Sequence, residues 1–318
     1  MIHHIALLDA ICLLLPLLLV CIGWAVRRRG RWWSVLCIIV GCAGASLYIY
    51  GRYFGSLQFE VRRVEFASAD LPAAFDGYRI VQFSDAHLGS FAGNRQSYIR
   101  RVVDSINAQH PDVVVFTGDL QNFCFEEVEP HRQQLSRIEA ADGVYSVLGN
   151  HDYADYLLTD DPAEVGRQLD GSADVHRQLG WTLLRNSRRR VQRDGASVII
   201  AGMENDGESR FPKLGDHEKA LCGIGRDAFV VMLEHDPTSW QRRILPHTHV
   251  QLTLSGHTHG GQFSLFGWSP AQLRYKQSCG MYYAGDRAIY VSKGLGGAIP
   301  WRVGMPGEIV VITLKTKK

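Results

Sequence analysis

Side chains that bind metal ions follow five apolar runs of the chain. The polar segments are SDAHLG, TGDLQN, GNHD, EHDP and SGHTHGGQ, which begin at residues 84, 117, 149, 234 and 255. The candidate ligands are Asp85, His87, Asp119, Asn150, His151, His235, His257 and His259. One such residue alone is more often a turn or packing residue. All of these follow strand-like runs, whereas histidines such as His110, His176 and His247 do not, so the joint pattern indicates one site.

The ligand types define a class of metal. Carboxylate, amide oxygen and imidazole without thiolate suit Mn, Fe, Zn or Ni. The number of ligands suits two divalent ions, and one carboxylate can bridge a pair. Asp119, central in the order, is the predicted bridge. We expect Gly256, Gly260 and Gly261 to permit a sharp bend that turns His257 and His259 toward the site.

The elements that position these residues are short, β-branched runs bounded by turn residues. YRIVQF, DVVVF, GVYSVL, AFVVML, VQLTL and AIYVS are typical of buried strands, and FEVRRVEF is a predicted first strand. Residues 97–110 and 128–141 have helical spacing of apolar positions. The pattern predicts one α/β (α+β) domain, with the ligands at the carboxyl ends of strands.

Two apolar segments precede this domain. Residues 5–26 and 32–50 are each about as long as the ~20 residues that cross a bilayer, and RRRGR lies between them. The sequence therefore predicts a transmembrane helical hairpin over residues 1–51 and a catalytic domain over residues 52–318. The alternative is an export signal, formed by RRRGR and the second segment, that is cleaved near residues 43–46.

The arginine-rich loop indicates an orientation. By the positive-inside rule it lies in the cytoplasm, which places the catalytic domain in the periplasm of a bacterium with a multi-pass anchor in its inner membrane. Arg52, Arg62 and Arg63 follow the second segment and weaken that argument, so the cytoplasmic face remains an alternative.

Composition excludes several classes of protein. The formal net charge is +2 and no basic stripe occurs in the domain, so no nucleic-acid partner is expected. Four of the seven cysteines fall in the apolar segments and none has CxxC spacing, which argues against disulfide or zinc-thiolate frameworks. No obligate protein partner is evident. Membrane lipids and a phosphorylated or lipid-linked small molecule are the expected partners.

The five segments resemble those of the calcineurin-like metallophosphoesterase superfamily, and the closest pattern is that of its membrane-associated bacterial YaeI/YkuE-like phosphodiesterase subgroup. The resemblance covers about residues 60–314. It implies a four-layer β-sandwich flanked by helices. It implies a first metal held by Asp85, His87 and His259, and a second held by Asn150, His235 and His257, with Asp119 between them.

The resemblance also implies a reaction. Two dications would activate water for in-line attack on phosphorus, while His151 contacts the phosphate and Asp152 orients His151. The expected activity is hydrolysis of a phosphodiester or pyrophosphate in a lipid-linked or nucleotide substrate. A UDP-diacylglucosamine-type substrate of lipid A synthesis is one option, and it requires a cytoplasmic domain. The alternatives are a periplasmic general phosphodiesterase and a membrane-tethered metal-binding scaffold without turnover.

Overall fold

Two six-stranded sheets pack face to face in the computed structural model, which describes residues 2–28, 30–157, 159 and 161–317. The first sheet has the order β1-β12-β2-β3-β4-β5. Its strands are β1 Phe59–Ser68, β2 Arg79–Phe83, β3 Val113–Phe116, β4 Val144–Ser146, β5 Thr182–Leu183 and β12 Gly307–Thr316. The second sheet has the order β10-β11-β9-β8-β7-β6. Its strands are β6 Ser187–Arg193, β7 Ala196–Gly202, β8 Phe229–Leu233, β9 Leu252–Ser255, β10 Gly280–Ala284 and β11 Arg287–Val291.

Helices cover the outer faces of both sheets. The α-helices are α1 Ile2–Ala25, α2 Arg31–Tyr53, α3 Gln96–Asn107, α4 Arg132–Leu135, α5 Pro162–Gln178, α6 His217–Leu221 and α7 Leu245–His247. A π-helical turn, Trp240–Ile244, leads into α7. The helix predicted at 128–141 is mostly a 3₁₀ segment, Phe125–His131, followed by the short α4. Pro130 explains the difference, because it has no N–H to donate to a regular α-helical turn.

Alternate residues of one strand face different cores. Val113 and Val115 of β3 pack between the two sheets, whereas Val114 and Phe116 pack against α3 and its neighbours. A third cluster lies between the second sheet and α6. The order is therefore helix, sheet, sheet, helix, and the predicted α/β sandwich of four layers is confirmed.

Strand direction gathers the ligand segments at one edge. Strands β2, β3, β4 and β5 are parallel to one another, and so are β7, β8 and β9 of the facing sheet. The segments that follow β2, β3 and β4 therefore leave the first sheet at the same edge. Those that follow β8 and β9 leave the second sheet beside them.

The two N-terminal helices pack against each other as a hairpin. A side chain at Gly41 of α2 would meet Val20 of α1, so this glycine permits close helix contact. Trp32 and Trp33 are 85% and 70% exposed, which is unusual for aromatic side chains. Within the described residues, Arg31–Leu57 is long and apolar enough to cross a membrane, while the apolar part of α1, Asp9–Ala25, is shorter.

Candidate metal centre

The predicted ligands converge at the edge where the strands end. Ligand atoms of Asp85, His87, Asp119 and His259 all lie within 4.8 Å of one another. Asp85 and His87 follow β2, Asp119 follows β3 and His259 follows β9. Three of the four are buried and His259 is half-buried. This group can hold one divalent ion.

A second group lies beside the first. The Oδ1 atom of Asn150 lies 2.8 Å from Nδ1 of His257 and 3.2 Å from Nε2 of His235. The same His235 nitrogen lies 3.3 Å from Oδ2 of Asp119. Four potential donor atoms from the segments after β3, β4, β8 and β9 therefore meet at a second locus.

Asp119 connects the two groups. Its Oδ2 lies 3.6 Å from Nε2 of His87, which belongs to the first group, and faces His235, which belongs to the second. Its Oδ1 accepts a hydrogen bond from the backbone N–H of His151 at 2.9 Å. One carboxylate oxygen is thus aimed between the two loci, as a bridging ligand requires.

Backbone carbonyls fix which histidine nitrogen faces the centre. Nδ1 of His235 lies 2.7 Å from the carbonyl of Thr117, and Nδ1 of His259 lies 3.1 Å from that of Gly296. A carbonyl can only accept, so both Nδ1 atoms carry the proton and both Nε2 atoms offer a lone pair to the site. His257 is reversed: its Nδ1 faces the site and its Nε2 meets the hydroxyl of Tyr275 at 3.1 Å.

The backbone at the ligands has an uncommon conformation. Five predicted ligands have positive φ angles: Asp85 49°, His87 45°, Asp119 61°, His257 72° and His259 52°. Side chains other than glycine rarely adopt this left-handed region, and each instance costs about 1–3 kcal/mol. The chain therefore bends at the ligand residues themselves, and not only at the glycines that were predicted to permit the bend.

Gly256 allows two segments of the site to approach each other closely. It does not have a positive φ, unlike Gly260 and Gly261. A Cβ at this position would overlap Oγ of Ser84 and the carboxylate of Asp85. The missing side chain lets the segment after β9 lie directly against the segment after β2.

The electrostatics of the centre favour bound cations. Burial alone would raise the pKa of Asp119, but His235 and His151 hold it well below its usual range. Burial lowers the pKa of His235, yet Asp119 outweighs burial and raises it to about 10. The pKa of His87 is well below its usual range because of burial and the neighbouring His151. The Asp119 carboxylate therefore favours a positive charge at Nε2 of His235, where a bound cation would replace the proton.

The donor set fits a pair of divalent ions. Among the described residues, neither ring nitrogen of His87 has a hydrogen-bond partner, although its side chain is buried. An unpartnered buried imidazole is costly, and metal coordination satisfies it. Oxygen and imidazole donors without thiolate suit Mn, Fe, Zn or Ni.

His151 lies beside the metal loci. Its Nδ1 is 2.6 Å from the carbonyl of Asn122, so Nδ1 carries a proton and Nε2 is left for a substrate. Its ring stacks on Tyr156 with the centroids 3.9 Å apart and the planes 3° from parallel. It also packs edge-on against His87 at 4.8 Å. These contacts fix the imidazole without placing it among the ligands.

Asp152 does not orient His151 as the sequence interpretation held. Its carboxylate instead accepts hydrogen bonds from the backbone N–H groups of Asp119 and Gly149 at 2.9 Å, and of Leu120 at 3.1 Å. Burial and the charge of Asp119 raise the pKa of Asp152 to about 7. Asp152 therefore holds the bridging ligand's segment in place, and the His151 ring is oriented by Asn122 and Tyr156.

Sequence reasoning missed several residues at the site. Tyr275 contacts His257, and Oδ2 of Asp236 lies 3.6 Å from the same ring. Arg302 is buried and donates to the carbonyl of Gly296 at 2.6 Å, which positions the loop against His259. Asp236 directly follows the ligand His235 in the segment EHDP, so its place at the site could have been predicted from the sequence. Tyr275 and Arg302 carry no local signal, because only the fold brings them near.

Comparison with known proteins finds one matching family and several similar chains. The family described as "Calcineurin-like phosphoesterase" matches residues 78–261. A "Transmembrane protein with metallophosphoesterase domain" from Danio rerio is 32% identical over 89% of this chain, which spans 62% of that relative's length. The "Uncharacterized metallophosphoesterase YkuE" of Bacillus subtilis is 32% identical, covering 85% of this chain and 90% of the relative. The crystal structure of TT1561 of Thermus thermophilus aligns with a TM-score of 0.42 and 13% identity, covering 69% of this chain and 90% of that one.

The chain belongs to the calcineurin-like phosphoesterase family. It is therefore a metal-dependent phosphoester hydrolase, and the family uses divalent metal ions. The relatives from Danio rerio and Bos taurus are both named "Transmembrane protein with metallophosphoesterase domain".

Proposed function

We propose that this protein is a membrane-anchored two-metal phosphoesterase that hydrolyses a phosphodiester or pyrophosphate in a lipid-linked or nucleotide substrate. The observation that carries the proposal is the position of Asp119 Oδ2 between His87 and His235. A scaffold with a single structural ion has no need of a carboxylate shared by two ligand groups. Two adjacent ions are the arrangement that clamps both oxygens of an in-line displacement.

Each group at the site has an assigned role in this proposal. Bound divalent cations supply the charge that polarises a phosphoryl oxygen and lowers the pKa of water. Asp85, His87 and His259 hold one cation. Asn150, His235 and His257 hold the other, and Asp119 serves both.

His151 acts on the substrate. Its Nδ1 proton points to the carbonyl of Asn122, which leaves Nε2 for a phosphoryl or leaving oxygen. When the ring is protonated, Nε2 can donate to that oxygen in the transition state, a contribution of about 10²–10⁴-fold. The stack with Tyr156 fixes the imidazole before the reaction begins, so no free energy of reorganisation is needed during the reaction.

A catalytic test separates the hydrolase from the scaffold. The full chain, solubilised in detergent and loaded with Mn²⁺, should hydrolyse bis-p-nitrophenyl phosphate. His151→Ala should bind the metal like wild type and lose about 10²–10⁴-fold in kcat. His247→Ala is the matched control, because His247 lies in α7, away from the site. If metal-loaded wild type cleaves no diester, monoester or pyrophosphate, the scaffold alternative replaces this proposal.

The placement in the cell is a further part of the proposal. We expect α1 and α2 to form a multi-pass anchor in the bacterial inner membrane, with membrane lipids as partners and the catalytic domain in the periplasm. The arginines between the helices support this orientation. An alkaline phosphatase fusion at the C-terminus should be active in cells. An inactive fusion that is expressed at the same level would place the domain in the cytoplasm.

A further inference from the structure

The hairpin joins the catalytic domain at the edge that carries the metal centre. Strand β1 is parallel to β12, and β12 is antiparallel to β2. The start of β1 therefore lies at the edge where β2 ends. A single 3₁₀ turn, Gly55–Leu57, connects α2 to β1. The last turn of α2 thus reaches the same edge as the metal ligands.

Direct contacts fix the end of the hairpin against the domain. Arg95 donates to the carbonyl of Arg52 at 2.6 Å, and the N–H of Arg302 donates to the carbonyl of Gly51 at 3.1 Å. The indole of Trp301 packs so closely on Gly51 that a side chain there would overlap it. The hairpin is therefore docked onto the catalytic domain and is not merely tethered to it.

A cleft of about 460 Å³ lies between the hairpin and the domain. Asp9 of α1 and Arg52 of α2 form one wall. Ala92, Phe123 and Pro130 belong to the opposite wall, which is largely apolar. The cleft is assembled only when the hairpin and the domain are both present.

The domain side of this cleft reaches the catalytic histidine. Asn122 lines it, and the carbonyl of the same residue holds Nδ1 of His151 at 2.6 Å. The side chain of Asn122 is 2% exposed and donates to Ser90 at 3.1 Å. Its Oδ1 has no hydrogen-bond partner among the residues that the structure describes. A buried unpartnered amide oxygen calls for a donor from a ligand.

The hairpin side of the cleft carries a guanidinium. Arg52 lies 3.3 Å from Asp9, and only 19% of its side chain is exposed. Arg95 lies behind it, and its Nη1 is buried without a partner in the described part of the chain. Arg52 and Arg95, the latter from the domain, place two guanidinium groups near the carboxylate of Asp9. The cleft also contains Glu127, and burial raises the pKa of this carboxyl group to about 7. An anionic head group fits the guanidinium end of the cleft.

We propose that this cleft binds an amphiphilic phosphoester, with its acyl chains along the membrane hairpin and its head group between Arg52 and Asn122. The inference rests on the proposed function and names the substrate class as a lipid-linked phosphoester. The apolar wall accommodates the first carbons of the acyl chains. The hydroxyl groups of the head group supply the donor that Asn122 lacks. The head group then lies next to Asn122, the residue whose carbonyl orients His151.

A matched pair of competing ligands tests the cleft. The full chain in detergent micelles hydrolyses bis-p-nitrophenyl phosphate in the presence of Mn²⁺. Dioleoyl phosphatidylglycerol and glycerophosphoglycerol, which has the same head group without acyl chains, are added as inhibitors. We expect the acylated compound to have an inhibition constant at least tenfold lower. Ala92→Trp, which fills the cleft from an exposed position, should reduce that ratio to about one, and Arg52→Gln should reduce it as well.

Ala69→Trp is the matched control for Ala92→Trp, because it adds a tryptophan at an exposed alanine outside the cleft. Ala69 is exposed in the turn after β1, at the opposite edge of the sheet, so the ratio should stay at its wild-type value. Equal inhibition by both compounds in wild type, with the diester still cleaved, overturns the inference and leaves the proposed function intact. If the ratio of the two inhibition constants keeps its wild-type value in both Ala92→Trp and Arg52→Gln, the inference is also overturned. Absence of any hydrolysis by wild type overturns both.

Discussion

Replacement of Gly256 by alanine tests the geometry of the centre while every ligand keeps its residue type. The added Cβ would overlap Oγ of Ser84 and the carboxylate of Asp85. The carboxylate has to rotate away, because backbone hydrogen bonds to Gly118, Leu295 and Gly296 hold the Ser84 and Asp85 backbone in place. That rotation breaks the hydrogen bonds of 2.9 and 3.2 Å that the N–H of His257 donates to Asp85.

The structure sets the size of the effect. Overpacking of a well-packed site costs about 1–3 kcal/mol. Loss of a hydrogen bond to a charged group adds about 1.5–3 kcal/mol. We expect Gly256→Ala to lower the free energy of unfolding by about 2.5–6 kcal/mol. The larger consequence is at the first metal locus, which loses Asp85 as a ligand.

Metal content and turnover are the decisive readouts. Purified Gly256→Ala protein should retain at most one equivalent of Mn²⁺ and lose more than 100-fold in kcat toward bis-p-nitrophenyl phosphate, because loss of a direct ligand exceeds the ~10–100-fold effect of outer-shell changes. Ile200→Ala in the core between the sheets should cost a similar ~2–5 kcal/mol and keep both ions. Gly166→Ala in α5, with open space around it, should stabilise by about 0.5–1 kcal/mol. Wild-type metal content and activity in Gly256→Ala would refute the described packing.

Three further changes probe the supporting residues. Asp152→Asn should lower the free energy of unfolding by about 1–3 kcal/mol in a urea titration, because backbone N–H groups lose their acceptor; unchanged stability would contradict this. Tyr275→Phe should weaken Mn²⁺ binding by about 10–100-fold in a titration, since the ring of His257 loses its hydroxyl contact; wild-type affinity would exclude that role. Burial lowers the pKa of His176 to about 3, below its unfolded value of about 6.5, so its stabilising contribution is present above pH 6.5 and lost as the pH falls. Wild type should therefore lose about 2 kcal/mol more than His176→Phe between pH 7 and pH 5, and equal losses would disprove the assignment.

Local sequence was sufficient to predict the strands that precede the ligand segments, together with β1 and β11, but it did not predict β5, β6, β7, β10 or β12. Runs such as DVVVF are β-branched and short, and the residues after them meet because parallel strands end at the same edge. Asp119 is predicted as the bridge from its position in the order, and its Oδ2 lies 3.6 Å from His87 and 3.3 Å from His235. These properties depend on residues close together in the chain.

Other features depend on contacts that no local pattern encodes. The left-handed backbone of Asp85 and His257 runs against the intrinsic preference of these residue types, so it has no local sequence signal. The sequence alone does not distinguish whether the carboxylate of Asp152 contacts His151 or the backbone of Asp119. The cleft at Arg52 exists because β12 reverses the direction of β1 relative to β2. Such a reversal cannot be read from the strand sequences.

Electron paramagnetic resonance of the Mn²⁺-loaded full chain shows directly whether two ions share the Asp119 carboxylate. We predict two bound ions per chain whose spins are coupled across this carboxylate, at the separation of about 3.5–4 Å typical of two-metal sites. Asp119→Asn should abolish that coupling. A spectrum of one isolated Mn²⁺ ion per wild-type chain at saturating metal would rule out the two-metal centre.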